Sequence, residues 1–481
     1  VEVDIAKGQT NFTIVGLADT SIKEARDRIH SALKNSSFTY PFNFRIVINL
    51  APADIAKEGP AYDLPMAVGI IMLSNTIEAN ITDTLIVGEL GLDGSVRHIT
   101  GVLPLALYAK EHGLKHVFVP AVDAPEAAVV DGITVYPVEH LRAMINHLTG
   151  EAPIPPFVLP AVSAEHFYQY EADLSLVKGQ EYAKRALEIA ASGGHNLLMS
   201  GPPGSGKTLL ARTLPSILPP LTMNEALEVS KIYSVAGLLK GSIMQARPFR
   251  TPHHTASGAA LVGGGRVPRP GEISLAHRGV LFLDEFPEFP RFVIESLRQP
   301  LEDGIITVAR AQGTVLFPAR FMLVASLNPC PCGFATDPDQ ACTCSPQQKL
   351  RYEKKLSGPL LDRIDLQIEV PRVKFEKLTS NDATESSAAV RERVARARAI
   401  QAKRFAGTKL QTNSDMGNRE LKTFCQLDDA TLTMLKTALT HFHLSARAYN
   451  RILKVARTIA DLAESEMITT DHVAEALQLR T

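Results

Sequence analysis

The sequence predicts an α/β protein of several domains: a compact α+β domain over 1–150, a proline-rich linker over 151–170, a parallel-sheet core over 171–375, and a small all-α region over 376–481. Three observations carry that expectation. Glycine-rich Gly201-Pro202-Pro203-Gly204-Ser205-Gly206-Lys207-Thr208 stands between an apolar run ending at Ser200 and a helical Leu209-Leu-Ala-Arg-Thr-Leu214. Apolar β-branched runs alternate with helix-period segments up to about residue 372. Beyond about 385, apolar residues recur only at helical spacing.

In the first domain, Val1-Glu-Val-Asp-Ile5, Phe12-Thr-Ile-Val15, Phe44-Arg-Ile-Val-Ile-Asn-Leu50, Leu85-Ile-Val-Gly88 and His116-Val-Phe-Val119 read as strands. Between the second and third, a helix starts near Ser21. Glu24 would complete a capping box there, and Ile22, Ala25, Ile29 and Leu33 share one face. Another apolar helix is expected from Leu64 to Leu73. Pro153-Ile-Pro-Pro-Phe-Val-Leu-Pro160 can neither continue a helix nor sit in a central strand, so it marks a boundary. Near the C-terminus, Ile452, Val455, Ala456, Ile459 and Ala460 line one helix face, and Thr470 or Asp471 can cap the last helix. The stretch from Thr379 to Ala389 is polar and reads as loose. Arg391, Arg393, Arg396, Arg398, Lys403 and Arg404 read as a solvated connecting helix rather than a phosphate-binding face.

Composition narrows the class. With 481 residues, 45% hydrophobic and 21% charged, the chain exceeds one core. A net charge of −1 provides no global field toward nucleic acid or anionic lipid, so such contacts must be local. The longest apolar stretch is far short of the ~20 residues that span a bilayer, and no signal-peptide pattern appears, so a soluble cytoplasmic protein with no membrane partner is expected. Four of the five cysteines, Cys330, Cys332, Cys342 and Cys344, crowd one loop. Two C-x-C pairs offer four thiolates to one tetrahedral structural Zn²⁺; reduced thiols or a redox pair are the alternatives. Cys425 reads as core filler.

The octapeptide carries the chemistry. Its glycines let consecutive N–H groups turn toward a phosphate, Lys207 reaches the terminal phosphates, and the Thr208 hydroxyl is suited to Mg²⁺. Val280-Leu-Phe-Leu-Asp284-Glu285 is an apolar strand ending in two acids: Asp284 would hold Mg²⁺ and Glu285 would deprotonate the attacking water. Phe321-Met-Leu-Val-Ala-Ser-Leu-Asn328 ends a further strand in an amide that can reach the γ-phosphate or the lytic water. Arg363 could stabilise charge on a neighbouring subunit's γ-phosphate, and Arg447, near the start of a lid helix, could act from either side; taken alone, each reads as a surface salt bridge. Ile305-Ile-Thr-Val-Ala-Arg310-Ala-Gln-Gly313-Thr-Val-Leu-Phe317 reads as a hairpin around a Gln-Gly turn, with Arg310 near its tip.

In this order, with Val177-Lys-Gly-Gln180 and Gly193-Gly-His-Asn196, these elements resemble the AAA+ ATPases of the magnesium-chelatase and MCM-helicase branch. The resemblance implies two Walker motifs separated by a long insert, which the stretch from Arg247 to Arg266 fits. It also implies sensor 1 at Asn328, an arginine finger at Arg363, sensor 2 at Arg447, and a hairpin whose basic tip, Arg310, touches DNA. Residues 1–150 resemble the Lon-protease-like domain. There, Lys57-Glu-Gly-Pro60-Ala61 and Ile99-Thr-Gly-Val-Leu103 match the catalytic stretches with alanine and leucine at the two catalytic positions, so amide hydrolysis by that route is unavailable. The whole arrangement is similar to the YifB/ComM group of magnesium-chelatase-like proteins. That likeness implies a Lon-like α+β domain, an AAA+ core with β-hairpin insertions, and a helical lid. It further implies a hexameric ring, a DNA helicase and branch-migration motor that uses ATP and Mg²⁺ on single-stranded and branched or double-stranded DNA during natural transformation, with recombination proteins as further partners. A chelatase-type motor driving metal insertion through a partner protein is the alternative.

Overall fold

The computed structural model describes residues 1–160, 172–265, 268–310, 313–373, 377, 384–442 and 444–480, without the side chains of Arg310 and Gly313. It forms two compact units: Val1–His166 with Ala226–Met244, and Phe167–Glu225 with Gln245–Thr481. Among the described residues, no helix is long and apolar enough to cross a membrane.

In the first unit, Phe44–Asn49 lies between Glu2–Lys7, antiparallel to it, and Asn11–Val15, parallel to it. A second sheet is parallel throughout, in the order Thr84–Ile86, His116–Pro120, Thr134–Val138. The five expected strands are present, and Thr134–Val138 adds one whose pattern is obscured by Pro137, its fourth residue. Helix Thr20–Asn35 buries Ile22, Ala25, Ile29 and Leu33 as its spacing requires. Its cap differs from expectation: Asp19, not Ser21, accepts from Ile22 N–H at 2.8 Å. The same carboxylate accepts from Gly59 N–H at 3.1 Å, so it fixes two segments where Ser21 would fix one. Beneath this helix Arg28 and buried Asp63 pair at 2.6 Å. Pro-rich 153–160 has no regular structure, and Phe157 N–H bonds Val135 O at 2.7 Å.

The second unit is built on a parallel five-stranded sheet ordered Phe249–Arg250, Val280–Leu283, Met322–Leu327, Leu197–Ser200, Leu366–Glu369. Its central strands are buried on both faces, which is why they read as unbroken apolar runs rather than alternating ones. Val280, Leu281, Phe282, Leu323 and Val324 are all at most 1% exposed, and each such side chain contributes about 1.5–3 kcal/mol of transfer free energy. Helices Glu181–Gly193 and Lys207–Ile217 pack on the sheet's apolar face with Ser387–Arg404. Helices Asn418–Phe424, Asp429–His441, Ala446–Leu462 and Thr470–Gln478 complete the all-α part. The last is capped by Thr469 rather than Thr470 or Asp471, in a reciprocal box with His472.

The basic helix Ser387–Arg404 is not solvated as its composition suggested. Arg391 donates to Ser216 O, Arg393 to Glu188 and Glu385, Arg398 to Ala191 O, and Arg404 to Asp461 at 2.7 Å. Burial pushes Arg398 down to about 10. These arginines satisfy carbonyls and carboxylates of neighbouring helices, which a one-dimensional charge count cannot register.

Candidate ATP site and four-thiol centre

Leu197–Ser200 runs centrally in the sheet, between Met322–Leu327 and Leu366–Glu369, so the chain leaves it where strand order reverses. Such a switch point opens a crevice at the strands' carboxyl ends. Gly201 turns there against the chain after the last strand: a Cβ on it would lie 2.2 Å from Val370 O, so no other residue fits. Gly206, at φ 90°, is the N-cap of helix Lys207–Ile217 and aims the helix's first N–H groups into the crevice.

Lys207 is buried, and its ammonium donates to Gly201 O at 2.7 Å and Pro202 O at 2.9 Å. Ser205 Oγ is 3.4 Å away and Asn328 Oδ1 3.5 Å. Burial pushes the Lys207 pKa down, with Asp284 opposing. Thr208 Oγ1 donates to Asp284 Oδ2 at 2.8 Å, while Asp284 Oδ1 accepts from Ser326 and from Glu285 N–H. The ends of three strands therefore bring Lys207, Thr208, Asp284, Glu285 and Asn328 together. A cation, a hydroxyl and a carboxylate converging at a helix N-terminus suit a phosphate chain with its divalent metal.

Glu285 has left-handed backbone (φ 52°), and its side chain is more than half exposed. Nδ1 of His254 lies 3.3 Å from its carboxylate. His253 lies tilted by 33° against that imidazole at 4.2 Å, and Phe289 meets it edge-on at 6.4 Å. Sequence reasoning placed this histidine in the insert but gave it no role. The adjacent His-His pair was the available signal.

Arg363 and Arg447 lie away from these groups, at the amino-terminal end of Leu366–Glu369. Both line a cleft of 150 Å³ with Glu302, Asp362, Arg451 and Lys454. Arg363 pairs with Glu302 and donates to Pro359 O at 2.5 Å, yet its buried Nε has no hydrogen-bond partner among the described residues. Arg447, second in helix Ala446–Leu462, is exposed. Beneath them is a network the sequence did not reveal. Asp365, fully buried, accepts from Arg451 at 2.7 Å and from Asn196 N–H at 3.1 Å, and lies 3.4 Å from His195 Nδ1. Burial pushes the Asp365 carboxyl up, but Arg451, His195 and Lys454 outweigh it and hold it well below the usual range. Burial keeps His195 neutral-leaning, its pKa lowered. Asn196 Oδ1 also accepts from Leu323 N–H at 2.8 Å, so this residue stitches three strand ends together.

The hairpin pairs Ile305–Arg310 with Gly313–Pro318, Arg310 opposite Gly313. Gln312 and the Arg310 side chain, like Arg266 and all of 161–171, lie outside the described residues.

Two residues beyond Asn328 the four clustered cysteines gather, their sulfurs within 4.8 Å of one another. Cys330 and Cys332 sulfurs are 3.3 Å apart, Cys330 and Cys342 3.7 Å, and Cys332 and Cys342 3.6 Å. Four thiolates at about 2.3 Å from a tetrahedral Zn²⁺ would be about 3.8 Å apart, so the donor set fits a thiophilic cation. Cys332 N–H points at Cys344 Sγ at 3.3 Å. The N–H of Phe334 does most to pull Cys332 down to about 5, favouring a thiolate, whereas burial pushes Cys344 up to about 12. Cys425 is buried and is likewise pushed up to about 12 by burial.

In the first unit, Ala61 is half-buried in a short turn and Leu103 is fully buried in the core.

A parallel sheet with a phosphate loop at its switch point, an acidic pair and amide on the adjoining strands, and a helical subdomain behind it define an AAA+ ATPase architecture. Family models agree over nearly the whole chain: "Subunit ChlI of Mg-chelatase" matches residues 1–123, "Magnesium chelatase, subunit ChlI" 173–378, and "Magnesium chelatase, subunit ChlI C-terminal" 384–480. The chain is similar to Competence protein ComM of Haemophilus influenzae, 46% identical over 485 residues, covering all of this chain and 94% of that protein. It is 45% identical to the uncharacterized protein YifB of Escherichia coli over 487 residues, covering all of this chain and 93% of that one. A partial likeness, 26% over 166 residues, covers 32% of this chain and 21% of a Lon protease from Brevibacillus choshinensis. The chain belongs to the ComM/YifB family of magnesium-chelatase-like AAA+ ATPases.

Proposed function

We propose that this protein is a hexameric, ring-forming DNA motor that couples ATP hydrolysis to helicase or branch-migration work on incoming DNA. The separation of the two arginine positions from the phosphate loop is the observation that carries the reading. Lys207, Thr208, Asp284, Glu285 and Asn328 share the carboxyl end of the sheet; Arg363 and Arg447 share the amino end, in one cleft. A head-to-tail ring brings such opposite ends together, so that each site is completed by the next copy.

In this reading the loop from Gly201 to Thr208 cradles the phosphates and Lys207 exchanges its carbonyl partners for phosphate oxygens. Glu285 takes the proton of the attacking water, and Asn328 orients that water. Thr208 and Asp284 hold Mg²⁺, which when bound neutralises charge on the transferred phosphate. Arg363 and Arg447 act on the neighbour's nucleotide. The hairpin ending at Arg310 and Gly313 meets the DNA strand in the ring. The name of the full-length relative, a competence protein, supports DNA uptake as the setting. Cys330, Cys332, Cys342 and Cys344 serve a structural Zn²⁺, and residues 1–150 serve assembly or partner binding without proteolysis.

The family models favour a second reading, a chelatase-type motor that drives metal insertion through a partner protein. ATP turnover of the purified protein with and without forked DNA separates the two. Stimulation by DNA, accompanied by strand separation, supports the helicase; turnover indifferent to DNA supports the chelatase motor.

A further inference from the structure

Three contacts tie the cysteine loop to the phosphate loop. Asn328, 3.5 Å from Lys207, is followed two residues later by Cys330, the most buried of the four thiols. Gly333, at φ 88° and bonded through its N–H to Cys330 O at 2.9 Å, lies against Pro203 of the octapeptide. A Cβ on Gly333 would stand 2.5 and 2.7 Å from the Pro203 ring carbons. Between the two cysteine pairs, Asp337 forms an ion pair with Arg372 at 3.1 Å, and that guanidinium lies 5.6 Å over Phe334. Arg372 follows closely on Val370, whose carbonyl is the wall that Gly201 turns against.

The segment making these contacts has no helix or strand of its own between Leu327 and Pro346. Its order therefore depends on whatever joins the four sulfurs, since closing such a loop otherwise costs chain entropy with no ladder to offset it.

We propose that the four-thiol centre and the phosphate loop form one linked binding unit. A thiophilic divalent cation on Cys330, Cys332, Cys342 and Cys344 raises nucleotide affinity at Gly201 to Thr208, and bound nucleotide slows the cation's release. The linkage rests on the reading of the octapeptide as a nucleotide site. Reciprocity is a thermodynamic requirement: whatever factor the cation contributes to nucleotide affinity, nucleotide contributes to cation affinity.

The test uses the full chain loaded with zinc. Zinc release to an excess of chelating dye is timed with and without ADP, and the affinity of a fluorescent ADP analogue is measured before and after zinc is stripped. Release slowed about tenfold by ADP, and analogue binding weakened about tenfold by stripping, is the expected pair of results. Gly333→Ala keeps every thiol but presses on Pro203. It should retain one zinc per chain, bind the analogue about tenfold more weakly, and lose the slowing by ADP. Cys342→Ser should lose zinc and weaken binding together; if that variant does not fold, the Gly333→Ala arm decides alone. Equal zinc release with and without ADP, in a protein that binds ADP, overturns the linkage while leaving the ATP site intact. A zinc-loaded protein that binds no ADP at all overturns the nucleotide reading itself.

Discussion

The two ends of the same parallel sheet are built in opposite ways. At the carboxyl end, the groups that suit a triphosphate come from three short contiguous motifs and meet through contacts such as Thr208–Asp284 at 2.8 Å. At the amino end, Arg363 and Arg447 line a cleft with Arg451, which belongs to a network whose members are scattered through the chain: His195, Asn196, Asp365 and Arg451. One end is assembled by local turns, the other by a buried ionic network. The first should therefore fail by losing chemistry and the second by losing geometry.

Glu285→Gln should break the carboxyl end most severely. Turnover is expected to fall about 10²–10⁴-fold with nucleotide binding preserved, because only proton abstraction is removed. An ATPase assay beside an ADP-binding titration reads both; near-normal turnover would remove Glu285 from the mechanism.

Arg363→Ala tests whether the amino end serves another copy. Turnover should drop about 10³-fold. Mixing this variant with Lys207→Ala should restore part of it, since some interfaces in mixed rings would pair an intact loop with an intact arginine. No recovery on mixing would place both residues at one site in one chain.

Asp365→Asn probes the network itself. Leaving Arg451 buried without its carboxylate should cost about 3–5 kcal/mol of stability, read as a lowered Tm at pH 7. Because the folded-state pKa is depressed, the stabilisation from Asp365 is fully present above its ordinary value near ~3.9 and is lost as pH falls through the folded value. The gap in Tm between wild type and variant should accordingly narrow in acid and stay constant from pH 6 to 8.

The smallest effect is expected at His254. His254→Ala removes one 3.3 Å contact with an exposed carboxylate, about 0.5 kcal/mol, so kcat should change only a few-fold with KM unmoved. An altered KM instead would mean that the histidine touches nucleotide.

What was legible in the sequence follows the same division. Gly201 to Thr208, Asp284, Glu285, Asn328 and the four cysteines stand in contiguous patterns whose spacing alone constrains geometry. The Asp365 network is not contiguous: Asn196 and Asp365 are far apart in sequence, and no periodicity links them. Arg398 and Arg404 looked like surface charge because composition cannot show which carbonyls and carboxylates fold toward them. The caps at Asp19 and Thr469 were each missed by a residue or two, since several neighbouring side chains were chemically able to cap.

Residues Ala226–Met244 lie midway along the ATPase stretch of the chain yet belong to the first compact unit. There Ser234 donates to buried Glu126 at 2.5 Å, Gly101 N–H bonds Ser234 O at 3.2 Å, and burial raises the Glu126 pKa. A truncated protein beginning near residue 151 would thus carry an orphaned apolar helix, and an isolated N-terminal fragment would have a hole in its place. Neither half is a removable cassette, and swapping the front unit between homologues would require transplanting this internal segment along with it.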